Sequence, residues 1–177
     1  MVATGFPYPV LAEVSVGIGD RLAIGVVGGA TTVSAGFGVR PRLSIADFGS
    51  GRVVVHALAL FYPETPSEAP WLLARPTVVY EHRVGKRLML NAGVGAVLAA
   101  AVDRLGGSAG APVYGQKRLE NLWGVWNTVQ LGGGFAFSHK TSAFFDVALV
   151  MRGLKLAGDE FMAAIPLIAA VGVSTEL

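Results

Sequence analysis

The feature that most limits what this chain can become is a two-residue alternation in which one row is bulky and apolar and the opposite row is small. Residues i, i+2 and i+4 of a strand share a face, whereas a helix would repeat at i+3 and i+4. Val10, Ala12, Val14, Val16 and Ile18 form one row against Glu13, Ser15 and Gly17. Leu22, Ile24 and Val26 stand against Ala23 and Gly25, and Val33, Ala35, Phe37 and Val39 against Ser34, Gly36 and Gly38. Leu88, Leu90, Ala92, Val94, Ala96 and Leu98 oppose Asn91, Gly93 and Gly95. A helix would lose about 1 kcal/mol at each such interior glycine, so these segments read as strands. The pattern returns in Val125, Val129, Leu131, Phe135 and Phe137 against Thr128, Gln130, Gly132 and Gly134. It returns again in Phe145, Val147, Leu149 and Met151 against Asp146 and Arg152, and in Ala169, Val171 and Val173 against Gly172 and Ser174.

The small row decides which solvent the sheet is built for. A soluble sandwich or barrel turns its bulky row inward and a charged row to water. Here charged residues are 15% of the 177 and apolar ones 53%, with a mean hydropathy of +0.56. An ordinary soluble chain carries roughly 25% charged residues, so too few remain to solvate one face of every strand. Hydrocarbon accepts valine, leucine and phenylalanine but penalises an arginine or lysine at its midplane by roughly 2–4 kcal/mol. The bulky row therefore suits lipid and the small row a narrow interior.

No apolar run reaches the ~18 residues that a membrane helix needs. The longest are 53–61 with His56, 88–102 with Asn91 and 161–173 with Pro166. Strands in lipid must close on themselves, because an open edge would leave N–H and C=O groups unpaired with no water available. The expected fold is all-β: an antiparallel up-and-down transmembrane β-barrel occupying 1–177 as a single domain, since no linker or shift of composition divides the chain.

Breakers at Gly19-Asp20, Gly28-Gly29, Arg40-Pro41-Arg42, Asp47 to Gly51, Val84 to Arg87 and Ser138 to Thr141 read as turns. They delimit ten segments, roughly 10–18, 22–28, 32–39, 43–48, 52–62, 72–84, 87–100, 122–137, 142–151 and 163–175. Merging short segments gives the alternative count of eight. With ten, both termini share a side with short turns near 29, 49, 86 and 140, and the longer connections Pro63 to Pro70, Asp103 to Asn121 and Gly153 to Glu160 lie opposite. Short turns at one end and long loops at the other are the asymmetry of outer-membrane barrels. Tyr62, Trp71 and Trp123 fall near the long-loop ends, and Tyr80, Phe135, Phe137, Phe144 and Phe145 near the short-turn ends, where aromatic rings settle at headgroup depth.

Through its glycine-rich alternating strands, its turn-plus-Arg-Leu openings (Arg21-Leu22, Arg42-Leu43, Arg87-Leu88) and its closing segment 169–177, the chain resembles small bacterial outer-membrane β-barrel proteins. The resemblance implies an outer-membrane location, insertion by the barrel assembly machinery and outer-membrane lipid as the surrounding partner. The opening residues Met1 to Pro9 show no charged n-region or apolar h-region, so no signal peptide is read there.

Alternation places Glu13, His56, Glu81, Arg83, Gln130 and Asp146 on the interior row, with Arg75 in the same row as Glu81. An isolated buried ion costs several kcal/mol, so these groups are expected to pair as an interior polar network, a polar pore lining being the functional alternative. Lys117 and Arg118 read as surface-loop charge that could touch lipopolysaccharide phosphates.

Ser138-His139-Lys140-Thr141 is similar to the His-x-Ser element of outer-membrane lipid A deacylases, but threonine replaces serine and no glutamate follows before Glu160. With no cysteine and three scattered histidines, no metal ligand set or cofactor motif stands out. A net charge of +2 gives no phosphate-tracking surface for nucleic acid. The expected function is a non-enzymatic outer-membrane barrel acting as a structural element, narrow pore or surface-binding module. The alternatives are a soluble up-and-down barrel holding a small apolar ligand, as lipocalin-like folds do, and a lipid A deacylase-like hydrolase.

Overall fold

A computed structural model describes residues 1–6, 10–30, 35–63, 70–101, 124–138, 140–151 and 167–175. They form ten antiparallel strands: β1 (Val2–Phe6), β2 (Val10–Ile18), β3 (Leu22–Ala30), β4 (Ala35–Phe48), β5 (Gly51–Tyr62), β6 (Trp71–Val84), β7 (Leu88–Ala101), β8 (Gly124–Ala136), β9 (Thr141–Met151) and β10 (Leu167–Thr175). Each strand pairs with its neighbour in sequence, and β1 pairs with β10, so the sheet closes into an up-and-down barrel.

The number expected from the sequence is the number found, but two of the strands differ. Arg40-Pro41-Arg42 is not a turn, and β4 runs through it for 14 residues. Proline lacks the ladder N–H and usually marks an edge or a break. Here Pro41 turns its ring to the outer face, still pairs with Ile24 of β3, and falls where the β4–β5 register is interrupted. A register shift between Ser44 and Ala46 absorbs one further residue of β4. The second difference is β1, whose five residues pair with Ala169–Val173 of β10 and close the barrel. Its segment, Val-Ala-Thr-Gly-Phe, carries too short an alternation to stand out.

These two differences also correct the sidedness of the early turns. The 19–21 turn lies with the termini and the turns at 49–50, 85–87 and 137–140, whereas the connection after Ala30 lies at the opposite end with the long loops. Gly19, Gly49 and Gly85 hold φ of 66°, 68° and 66°. A side chain there would strain against the following carbonyl, and this conformation lets three of the short turns reverse the chain so tightly.

The bulky row points outward. Val14 is 68% exposed, Leu90 45% and Val147 37%, and Val16, Val26, Phe37, Val94, Leu131 and Phe145 share that face. Tyr80, Phe135, Phe137 and Phe145 stand exposed toward the short-turn end, and Tyr80 and His82 stack with the phenol oxygen 3.3 Å from Nδ1.

Candidate functional site

The lumen holds the chain's polar chemistry, and glycine controls how it is assembled. At Gly25 two large inward side chains meet across the intervening strand. Glu13 on β2 reaches Arg40 on β4 over Gly25 of β3, where a Cβ would lie 2.5 Å from the carboxylate. Arg40 Nη1 donates to Glu13 Oε2 at 3.0 Å. Gly132 of β8 lies between Asn91 and Asp146 in the register, and a Cβ there would lie 2.9 Å from the Asn91 amide oxygen. The small inward row is therefore less a lining than a set of seats for longer neighbours.

A second cluster spans β4, β5 and β6. Arg42 Nη2 donates to both carboxylate oxygens of Glu81, at 2.7 and 2.9 Å, and Arg52 Nε donates to Oε2 at 2.5 Å. Charge-assisted bonds of this kind are the strong ones, and Glu81 is almost enclosed while both arginines remain partly exposed. Farther from the short turns, Arg75 Nη2 donates to Gln130 Oε1 at 2.8 Å and lies 3.5 Å from Asp146 Oδ2, joining β6, β8 and β9. His56 faces inward between Arg42 and Thr77 in the register, and its Nδ1 makes no hydrogen bond among the described residues. Arg83 stands exposed at the short-turn mouth.

The geometry thus distributes five of the seven sequence candidates over three clusters. Glu13 pairs with Arg40; Glu81 pairs with Arg42 and Arg52; Arg75 gathers Gln130 and Asp146; His56 and Arg83 belong to none of these clusters. Lys117, Arg118 and His139 lie outside the described residues. Ser138 Oγ accepts the backbone N–H groups of Lys140 and Thr141 at 3.2 and 3.0 Å, the work of a turn hydroxyl.

Sequence reasoning missed Arg40 and Arg42, because they flank the proline read as a turn, and it missed Arg52 at a strand's first residues. Continuing the Gly36, Gly38 row by twos through the proline would have found the first two.

The other missed feature is apolar. Val27, Leu58, Leu60, Tyr62, Trp71, Leu73, Val97, Trp126 and Ile168 form one cluster inside the barrel. Tyr62 is 0% exposed, and its ring stacks on Trp71 at 4.0 Å with an interplanar angle of 6°. These two aromatics are therefore lumen residues, where headgroup positions were expected. The row that begins at His56 continues by twos to Tyr62, and the row of Arg75 and Glu81 starts at Trp71. Glycine again makes the room, since a Cβ on Gly36 would lie 2.8 Å from the Tyr62 ring. With Ala148 of β9 among its members and Leu11 of β2 packed against it, the cluster draws on eight of the ten strands, on opposite walls of a closed barrel. Its members lie toward the long-loop ends of their strands, and each is at most 8% exposed.

Among solved structures, the chain is similar to one described as "NanC porin structure in rhombohedral crystal form", with a TM-score of 0.50, 9% identity and coverage of 99% of this chain and 98% of that one. At that identity the likeness speaks for the barrel fold alone. No family model and no curated protein matches the chain.

Proposed function

We propose that this protein is an outer-membrane β-barrel without enzymatic activity, and that its lumen is stoppered on the long-loop side. The observation that carries the membrane reading is the direction of the two rows: bulky apolar side chains face out all round a closed barrel, while Arg40, Arg42, Arg52 and Arg75 are held inside. In water that arrangement would expose a continuous apolar belt far larger than the patches soluble monomers tolerate. In lipid it is the lower-energy one. The porin likeness supports a barrel of this kind. The Tyr62–Trp71–Trp126 cluster favours a filled barrel over a freely conducting one, consistent with the small diameter that ten strands allow.

Two measurements test this reading. The protein purified from membranes should require detergent and run as a heat-modifiable band; a chain that stays monodisperse in buffer alone points instead to the soluble ligand-carrying barrel. Reconstituted in planar bilayers, it should show little conductance. Steady ohmic channels in the unmodified protein would contradict the stopper while leaving the membrane assignment in place. Release of fatty acid from lipid A, lost on His139→Ala, would favour a hydrolase.

A further inference from the structure

The short-turn end of the barrel is basic. Its turns bring Arg21, Lys86, Arg87 and Lys140 to one rim, where Asp20 is the turn acid among the described residues. Inside that rim lies an open recess of about 170 Å³, walled by Asp47, Ser50, Arg52, Glu81, Arg83 and Met89. A single water needs roughly 10–15 Å³ by this kind of measure, so the recess has room for a small solute.

The charges in the recess are not equally committed. Glu81 already accepts two bonds from Arg42 and one from Arg52, and so offers little to a cation. Arg83 is held through its backbone, its N–H donating to the Ser50 carbonyl at 2.7 Å, while its guanidinium makes no ion pair among the described residues. A guanidinium presents five donors in a fork that matches a carboxylate or phosphate. Asp47 is the one uncommitted carboxylate on the wall. The basic rim raises the local concentration of anions at the opening, and with the apolar stopper the vestibule is blind, so an anion that enters can leave only by the same mouth.

We propose that this recess binds a small oxyanion, a carboxylate or phosphate group, with Arg83 as its principal donor and Asp47 as the residue that limits its affinity. The site rests on the barrel geometry; only its being blind rests on the stopper proposed above. The chemistry fits a free solute or a lipid headgroup, and the test has an arm for each.

In the first arm, the barrel in non-ionic detergent is titrated calorimetrically with inorganic phosphate and with acetate. Saturable binding is expected. Arg83→Ala should weaken it at least tenfold, Asp47→Asn should strengthen it several-fold, and Lys140→Ala, across the rim, should change it less than threefold. In the second arm, the same variants are placed in nanodiscs of phosphatidylglycerol or phosphatidylcholine. If free anions do not bind but phosphatidylglycerol does, with the same response to Arg83→Ala and Asp47→Asn, a headgroup occupies the same oxyanion site. Binding that ignores both substitutions, or no binding in either arm, overturns the proposal. Because Arg83 lies outside the Glu81 cluster, its variant should keep the heat-modifiable mobility of the folded barrel. Bilayer conductance reports separately on the stopper.

Discussion

Toward the long-loop ends of the strands the lumen is filled by Leu60, Tyr62, Trp71, Val97 and Trp126, whereas it is bridged at mid-height by Arg40–Glu13 and, toward the short turns, by Arg42 and Arg52 on Glu81. Both halves must fill the same closed cylinder. The apolar half does so by direct packing of buried side chains; the charged half does so by long side chains that reach over or along the neighbouring strand, Glu13 to Arg40 over Gly25 and Arg42 to Glu81 over β5, with the arginines left partly exposed. The difference teaches that the inner surface of a small barrel cannot be read from the polarity of its row alone. Gly25 and Gly36 of that row each make room for a neighbour's side chain, the Glu13 carboxylate in one case and the Tyr62 ring in the other, and the neighbour decides whether the layer is ionic or apolar.

The largest effect is expected in the dry half. Trp126 is 5% exposed, so Trp126→Ala should cost about 3–5 kcal/mol in refolding titrations, as for other buried large-to-small changes. The same variant should raise bilayer conductance, and an unaltered conductance would mean that the seal lies elsewhere. A control outside both halves comes next: Val94→Arg, on the outer face of β7, should cost about 2–4 kcal/mol in lipid vesicles and little in conductance. A neutral result would show that this face does not meet hydrocarbon.

In the charged half, Glu81→Gln leaves Arg42 and Arg52 without their counter-ion. The cost should be about 2 kcal/mol, below the roughly 3–5 kcal/mol of a fully enclosed pair, because the arginine side chains keep 43% and 41% exposure. A larger loss would mean that this half is drier than the geometry implies. The smallest effect belongs to the turns. Gly49→Ala, at a φ of 68°, should cost about 1 kcal/mol, visible as a modest shift of the unfolding midpoint with no change in conductance or anion binding.

Most of the barrel was legible because a period of two and a row of small residues survive even where segment ends do not. Val14, Leu90 and Val147 sit on the face that their alternation dictates. What misled was local chemistry overridden by tertiary pairing. Pro41 looks like a break until a strand on one side supplies its partners, and Val2–Phe6 looks like a tail until β10 offers an edge. The ion-pair partners were illegible for the same reason. Arg42 and Glu81 lie 39 residues apart, and only the pairing of β4 and β6 on either side of β5 brings them within reach of one another. Tyr62 and Trp71 were legible by parity, but their position at segment ends suggested a membrane interface instead.

The central claim is that the bulky row faces acyl chains and the opposite row faces the lumen. The chain has no cysteine, so single-cysteine substitutions from Leu88 to Leu98 on β7 can carry a spin label one position at a time in reconstituted vesicles. Collision rates with oxygen should be high at Leu90, Ala92 and Val94 and in the same sense low at Asn91, Gly93 and Gly95, with a period of two along the strand. A reversed phase, with a water-soluble relaxant reaching Leu90 and Val94 more readily than Asn91 and Gly93, would contradict the account.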